Sequence, residues 1–208
     1  MSDVRLFVAL PMPAAIKSAL SEKCSLLRER LPFQKWVHPE DFHITLKFLG
    51  DTSQEQAAKL SEPLRDAART VGRFPLAVES LGIFGPNAAP RILWGGVRGD
   101  LAALHRLQQA VESAMAKAGY AAEEQPYRPH ISLARRYKGT EPLAREALAS
   151  HAEAAGLPLP AAQSDERPST ETTKSPLSWQ AEACVLYVSH LGQSPMYEIV
   201  ERYPLKGT

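Results

Sequence analysis

The chain has 208 residues, 44% hydrophobic and 23% charged, an ordinary globular composition that excludes wholesale disorder and fibrous repeats. Lys and Arg number 24 against 23 Asp and Glu, a net charge of +1, so a chain-wide electrostatic grip on nucleic acid is excluded and any phosphate recognition has to be local. Two cysteines, Cys24 and Cys184, build neither a disulfide framework nor a thiolate zinc site.

Val4 to Leu10 reads as a buried strand stopped by Pro11 and Pro13. This apolar run is too short for a signal-peptide core, and no later stretch approaches the roughly 18 residues of a membrane span; a soluble, cytoplasmic protein is expected. Ile16, Leu20, Cys24, Leu27 and Leu31 recur at helical spacing up to Pro32. Phe42 to Leu49 is the next expected strand, closed by Gly50 and Asp51. Thr52 and Ser53, followed by Glu55 and Gln56, form a capping-box start. They open a helix carrying Ala57, Leu60, Leu64, Ala67 and Val71 on one face.

Phe74–Phe84 and Arg91–Val97 read as a hairpin around Gly85, Pro86 and Asn87. Asp100 caps a helix with Leu101, Leu104, Leu107, Val111 and Met115 on one side, and Gly119 ends it. A strand is expected at His130–Arg136, and a second hairpin at Cys184–Leu191 and Tyr197–Tyr203. Between them, Leu143–Ala155 forms a short helix ending at Gly156. The stretch after it, at about 157–178, is rich in Pro, Ser and Thr and reads as a surface loop or disordered insertion. The order of elements gives an α+β class with substantial antiparallel pairing. No Gly-rich turn supports a P-loop or a dinucleotide fingerprint.

Two tetrapeptides repeat one pattern: His43-Ile44-Thr45-Leu46 and His130-Ile131-Ser132-Leu133. In a strand, side chains alternate faces. Each histidine therefore shares a face with its hydroxyl residue, while the apolar pair anchors the strand. Two imidazoles and two hydroxyls that converge suit an in-line displacement at phosphorus. One imidazole acts as base and the other as acid, and the hydroxyls of Thr45 and Ser132 donate to the non-bridging oxygens. Arg128, Arg135, Arg136 and Lys138 supply four positive charges, with no acid, within residues 128–138. His38, His105, His151 and His190 have no matching partner, and neither motif brings the third ligand that a catalytic zinc needs.

These paired motifs resemble the two HxTx signatures of the two-histidine (2H) phosphoesterases, most closely the RNA 2′,3′-cyclic phosphodiesterase branch long labelled 2′-5′ RNA ligase (LigT-like). Arg5–Ala9, His43–Gly50, Gly82–Phe84 with Leu93-Trp94, Pro129–Arg135, Leu186-Tyr187 and Tyr203–Leu205 extend the likeness over residues 3–138 and 181–206. The resemblance implies one bilobal domain over residues 1–208. In it, two similar lobes with largely antiparallel sheets line a central cleft, with helices outside. It also implies metal-independent hydrolysis of RNA 2′,3′-cyclic phosphate ends to a 2′-phosphomonoester, with no cofactor, by a monomer that needs no protein partner. His43 is then the proton donor and His130 the proton acceptor, while Thr45, Ser132 and Arg135 bind the phosphate, Arg136 being the adjacent alternative. Phe48, Trp94 and Tyr127 are candidate base contacts. Reversible 2′-5′ joining, cyclic phosphodiesterase action on small nucleotides and non-enzymatic binding of RNA ends are the alternatives. Ser132 departs from the usual Thr, keeping the hydroxyl without the β-branch.

Overall fold

The computed structural model describes residues 3–160 and 176–207. Within them, nine strands and five helices follow one another as β1 (Val4–Pro11), α1 (Ala14–Arg28), β2 (Phe33–Trp36), β3 (His43–Thr52), α2 (Gln54–Ala57), α3 (Ser61–Arg69), β4 (Phe74–Phe84), β5 (Ile92–Gly99), α4 (Leu101–Lys117), β6 (His130–Tyr137), α5 (Arg145–Ala154), β7 (Ser178–Ala181), β8 (Ala183–Ser189) and β9 (Tyr197–Pro204). A turn of 3-10 helix, Pro39–Asp41, sits between β2 and β3. The strands form two antiparallel sheets. One has the order β3-β1-β8-β9 and the other β2-β6-β5-β4-β7. This is the α+β architecture expected.

The sheets repeat one plan. In each, a strand carrying a His-x-hydroxyl motif lies beside the strand that precedes it through a helix: β1 and β3 through α1, β5 and β6 through α4. Two further strands complete each sheet on the far side, and β2 adds an outer neighbour to β6 alone. The apolar alternation explains the layering. Leu6, Val8 and Leu10 of β1 join Ile44, Leu46, Ile131 and Leu133 in one large core. Phe7 and Ala9 point the other way and pack with Val185 and Tyr187 in a second, smaller cluster. Both faces of β1 are covered, which is why its sequence is a continuous apolar run rather than an alternating one.

The core ties the halves together. α4 follows a strand of the second sheet but packs against β3 of the first. Lys47 of β3 is buried there. Its ammonium donates to Glu112 Oε1 on α4 at 2.8 Å and to the Ala121 carbonyl at 2.6 Å.

Three expectations are corrected. The helix expected from Thr52 onward is two helices. The capping box between Ser53 and Gln56 closes only the one-turn α2, and α3 starts afresh at Ser61. Pro63 has no N–H to give the carbonyl four residues earlier, so one continuous helix through that point is disfavoured, whereas the first turn of α3 tolerates it. β2 and β7 were not visible in the sequence, because four-residue strands are defined by the partner they pair with. Finally, the ends of the insertion expected at 157–178 are structural. Leu157, Leu177 and Trp179 are buried, Leu81 N–H donates to the Pro158 carbonyl at 3.1 Å, and β7 pairs with β4. Residues 161–175 of that stretch lie outside the described residues.

Candidate active site

The chain path brings the two motifs together. β2 lies on the outer edge of β6, Lys35 opposite Arg135 and Trp36 opposite Ala134. Val37 N–H then bonds the Leu133 carbonyl at 2.9 Å. The chain turns through Pro39–Asp41 and enters β3 at His43. The first motif therefore begins a few residues after a backbone contact inside the second. Tyr127, just ahead of β6, donates its hydroxyl to the Thr45 carbonyl at 3.1 Å and buttresses β3 from the other side.

Each motif strand carries the same irregularity at the same place. In β3, Thr45 pairs with Ala9 and Lys47 with Val8, leaving Leu46 as an extra residue. In β6, Ser132 pairs with Trp94 and Ala134 with Leu93, leaving Leu133 extra. These are β-bulges, one additional residue that shifts the alternation of faces. Leu46 and Lys47 are both buried, as are Leu133 and Ala134. The bulge has a direct consequence for the site. Five residues is an odd offset, so strict alternation turns Arg135 away from His130. The extra residue restores it to the face of His130 and Ser132. In β3 the same step brings Phe48 to the face of His43 and Thr45.

The rings are held in matching ways. His43 Nδ1 lies 2.7 Å from the Asp41 carbonyl, and His130 Nδ1 lies 2.7 Å from the Arg128 carbonyl. A carbonyl can only accept, so Nδ1 carries the proton in both rings. Nε2 is left as the atom that exchanges protons. His43 Nε2 meets the Thr45 hydroxyl at 3.0 Å, which donates to it when the ring is neutral. Among the described residues, His130 Nε2 has no hydrogen-bond partner.

Aromatic rings enclose His43: Phe7 at 4.9 Å, Tyr197 at 5.2 Å and Tyr187 at 5.8 Å between ring centroids. His130 meets Phe84 edge-on at 4.9 Å. Desolvation among these rings pulls His43 from 6.5 down to about 4. The Asp41 carbonyl and carboxylate oppose the shift, and the charges of Arg135 and His130 add to it. His130 is also lowered, chiefly by desolvation and further by Arg135, against the pull of the Arg128 carbonyl. The charge of Arg135 therefore acts on both rings and on Tyr197 as well. Arg136 follows it with a left-handed φ of 60°, and its N–H bonds the Arg91 carbonyl at 2.9 Å. Ser132 is half-buried on the shared face.

Of the candidate base contacts, Phe48 is 62% exposed beside Phe7, with ring centroids 6.0 Å apart. Trp94 lies over Gly82, where a Cβ would overlap its ring, and next to Phe84. Two further residues of the site carry little signal in the sequence. The buried Asp41 carboxylate accepts the Met196 N–H at 2.9 Å and the Tyr197 N–H at 3.0 Å. It thereby fixes the start of β9 and sets Tyr197 against His43. The position of Asp41 two residues before a motif histidine is the one local signal. Nothing local points to Tyr197.

A family model described as LigT-like phosphoesterase matches residues 10–94. An RNA 2′,3′-cyclic phosphodiesterase of Geobacillus stearothermophilus is 36% identical over 97% of this chain, which spans 57% of that relative's length. An RNA 2′,3′-cyclic phosphodiesterase of Bacillus subtilis is 30% identical over 99% of this chain and 100% of its own. Among solved structures, E. coli LigT complexed with 3′-AMP superposes with a TM-score of 0.71 at 22% identity over 99% of each chain. The Thermus thermophilus protein TT0787 gives 0.68 at 24% identity over 98% of each. At those identities the structures speak for the fold.

Proposed function

Because this chain belongs to the LigT-like phosphoesterase family, we propose that it is an RNA 2′,3′-cyclic phosphodiesterase that opens the cyclic phosphate to a 2′-phosphomonoester by general acid–base catalysis. The single observation that carries this reading is the matched tethering of His43 and His130. Each Nδ1–H is tied to the carbonyl two residues back, so each ring offers Nε2 to the shared face.

In the proposed reaction, His130 Nε2 takes a proton from water as the water oxygen bonds to phosphorus. The bond from phosphorus to the 3′ oxygen breaks on the opposite side. His43 Nε2 gives its proton to that oxygen, leaving a 3′ hydroxyl and a 2′ phosphate. Thr45 and Ser132 donate hydroxyl hydrogen bonds to the non-bridging oxygens, and the Arg135 guanidinium offsets their charge. His43 must be protonated to act, although burial lowers it to about 4 in the free site. The bound phosphodiester is an anion and raises it again. Substrate thus helps to charge its own acid.

The reading includes action by a monomer, as one bilobal unit over residues 1–208, on RNA ends in the cytoplasm and without metal or other cofactor. Among the described residues no helix is long and apolar enough to cross a membrane. The test is to incubate the purified protein with an oligoribonucleotide ending in a 2′,3′-cyclic phosphate, with and without EDTA, and to identify the product isomer. A 2′-phosphate formed at the same rate in both is expected. No turnover, a 3′-phosphate product or loss of activity with the chelator overturns it.

A further inference from the structure

Near-zero net charge for the chain hides an uneven local distribution. The segments that build β2, β5 and β6, residues 31–39, 85–99 and 125–140, contain no Asp or Glu. Lys35 of β2 is the direct cross-strand partner of Arg135, so their Cβ atoms lie about 5 Å apart on one face. Trp36, the next residue, sits opposite Ala134 and packs against the core. Alternation therefore leaves Lys35 on the face of Arg135, which is the face of the site. Two backbone bonds bring more cations to the same corner. Arg136 N–H bonds the Arg91 carbonyl at 2.9 Å, and Lys138 N–H bonds the Pro32 carbonyl at 2.8 Å.

Lys35, Arg91, Arg135, Arg136 and Lys138 are all exposed. None of them has an ion pair among the described residues. The first acid to follow, Glu141, meets Tyr137 through its backbone carbonyl. Like charges directly opposite each other destabilise a sheet, so the pairing of Lys35 with Arg135 is a local cost that a bound anion removes. A lysine on an edge strand also deters pairing with another chain. That role needs one lysine, whereas here four other cations crowd the same corner.

Resting on the cyclic phosphodiesterase reading, we propose that this corner is the surface on which the RNA backbone approaches the site, Lys35 gripping the phosphodiester on the 5′ side of the terminal nucleoside and Arg91, Arg136 and Lys138 the phosphates beyond it. In the proposed reaction Arg135 serves the reacting phosphate. A cyclic-phosphate end continues in the 5′ direction only, so the next cation outward meets the next phosphate. Such contacts hold the strand in place and read no base sequence.

The experiment measures kcat and KM on an oligoribonucleotide ending in a 2′,3′-cyclic phosphate. Adenosine 2′,3′-cyclic phosphate is the control, since it has no second phosphate. The variants are Lys35→Gln, Lys35→Arg and the triple Lys35→Gln/Arg91→Gln/Lys138→Gln. Lys35→Gln is expected to raise KM for the oligonucleotide about fivefold and to leave kcat within about twofold, the loss of one exposed charge contact. Lys35→Arg keeps the wild-type KM. In the triple variant the slope of log kcat/KM against log salt becomes shallower by about 2, three contacts at about 0.7 each. The control changes less than about twofold in every variant, since it makes none of these contacts. An unchanged KM and salt slope in the triple variant overturns the proposal and leaves Lys35 as a guard of the sheet edge. Equal losses on the control also overturn it, because the corner then serves the reacting phosphate. Both of these results leave the cyclic phosphodiesterase reading intact, and failure of the wild type to hydrolyse either substrate overturns that reading as well.

Discussion

β3 and β6 share a backbone plan and differ in what they put on it. Both hold a histidine by the carbonyl two residues back, both follow it with a hydroxyl, and both bulge just beyond. The position the bulge delivers to the cleft is Phe48 in one and Arg135 in the other. The position it sends inward is Lys47 in one and Ala134 in the other. His43 is ringed by three aromatic groups and bonded to Thr45. Among the described residues His130 meets one aromatic ring and its Nε2 has no hydrogen-bond partner. A repeated unit thus yields two chemically unequal halves. The backbone supplies the symmetric part, which is ring orientation. The side chains supply the asymmetric part, which is charge and enclosure.

The largest expected effect tests the symmetric part. His43→Ala and His130→Ala each lower kcat by about 10²–10⁴-fold on an RNA cyclic-phosphate end. The double variant is little worse than either single one, since the two groups act in one step. A variant that keeps wild-type turnover removes its strand from the mechanism. Next, Arg135→Ala lowers kcat/KM about 100-fold, as loss of a charge-stabilising donor does, while Phe48→Ala costs less than tenfold. Adding Phe48→Arg to Arg135→Ala asks whether the cation works from either side. Full recovery would erase the asymmetry argued above.

Acidity separates the two rings further. His43 falls below the value of an unfolded histidine, so its neutral form stabilises the fold above pH 6.5. That contribution, at most about 3 kcal/mol, is lost as pH drops from 6.5 toward 4. Thermal denaturation should show this loss, and His43→Gln should remove most of it. Catalysis needs a proton on His43 and none on His130. The pair holds a single proton from about pH 4 up to the lowered value of His130; in the free site it rests on His130, and the bound anion draws it to His43. The maximum of kcat/KM is therefore expected below pH 6.5, with a fall of about tenfold per unit on the alkaline side. A plateau extending above pH 8 contradicts this ordering. The smallest effect is Ser132→Thr, which restores the β-branch and is expected to change kcat by less than about twofold.

Much of this plan was legible in the sequence. His43/Thr45 and His130/Ser132 share faces by simple alternation, and apolar spacing located α1, α4 and most of the strands. The bulges were not legible, because an extra residue shows only against the partner strand. Arg135 matches a family position by resemblance, although alternation alone turns it the wrong way. Asp41 and Tyr197 meet across 156 residues of chain, and no local pattern records such a meeting. Leu157 and Leu177 sit in a stretch whose Pro, Ser and Thr content outweighs a few apolar anchors, and Trp179 follows just beyond it.

Lys47 adds a mechanical consequence. The ammonium beneath one half grips a helix that belongs to the other. Drawing the halves apart breaks this ion pair and its carbonyl contact and opens the apolar packing around them to water. The joint between the halves is therefore a packed seam with an ionic pin through it, which holds the spacing of the two motif strands through side chains that take no part in the chemistry.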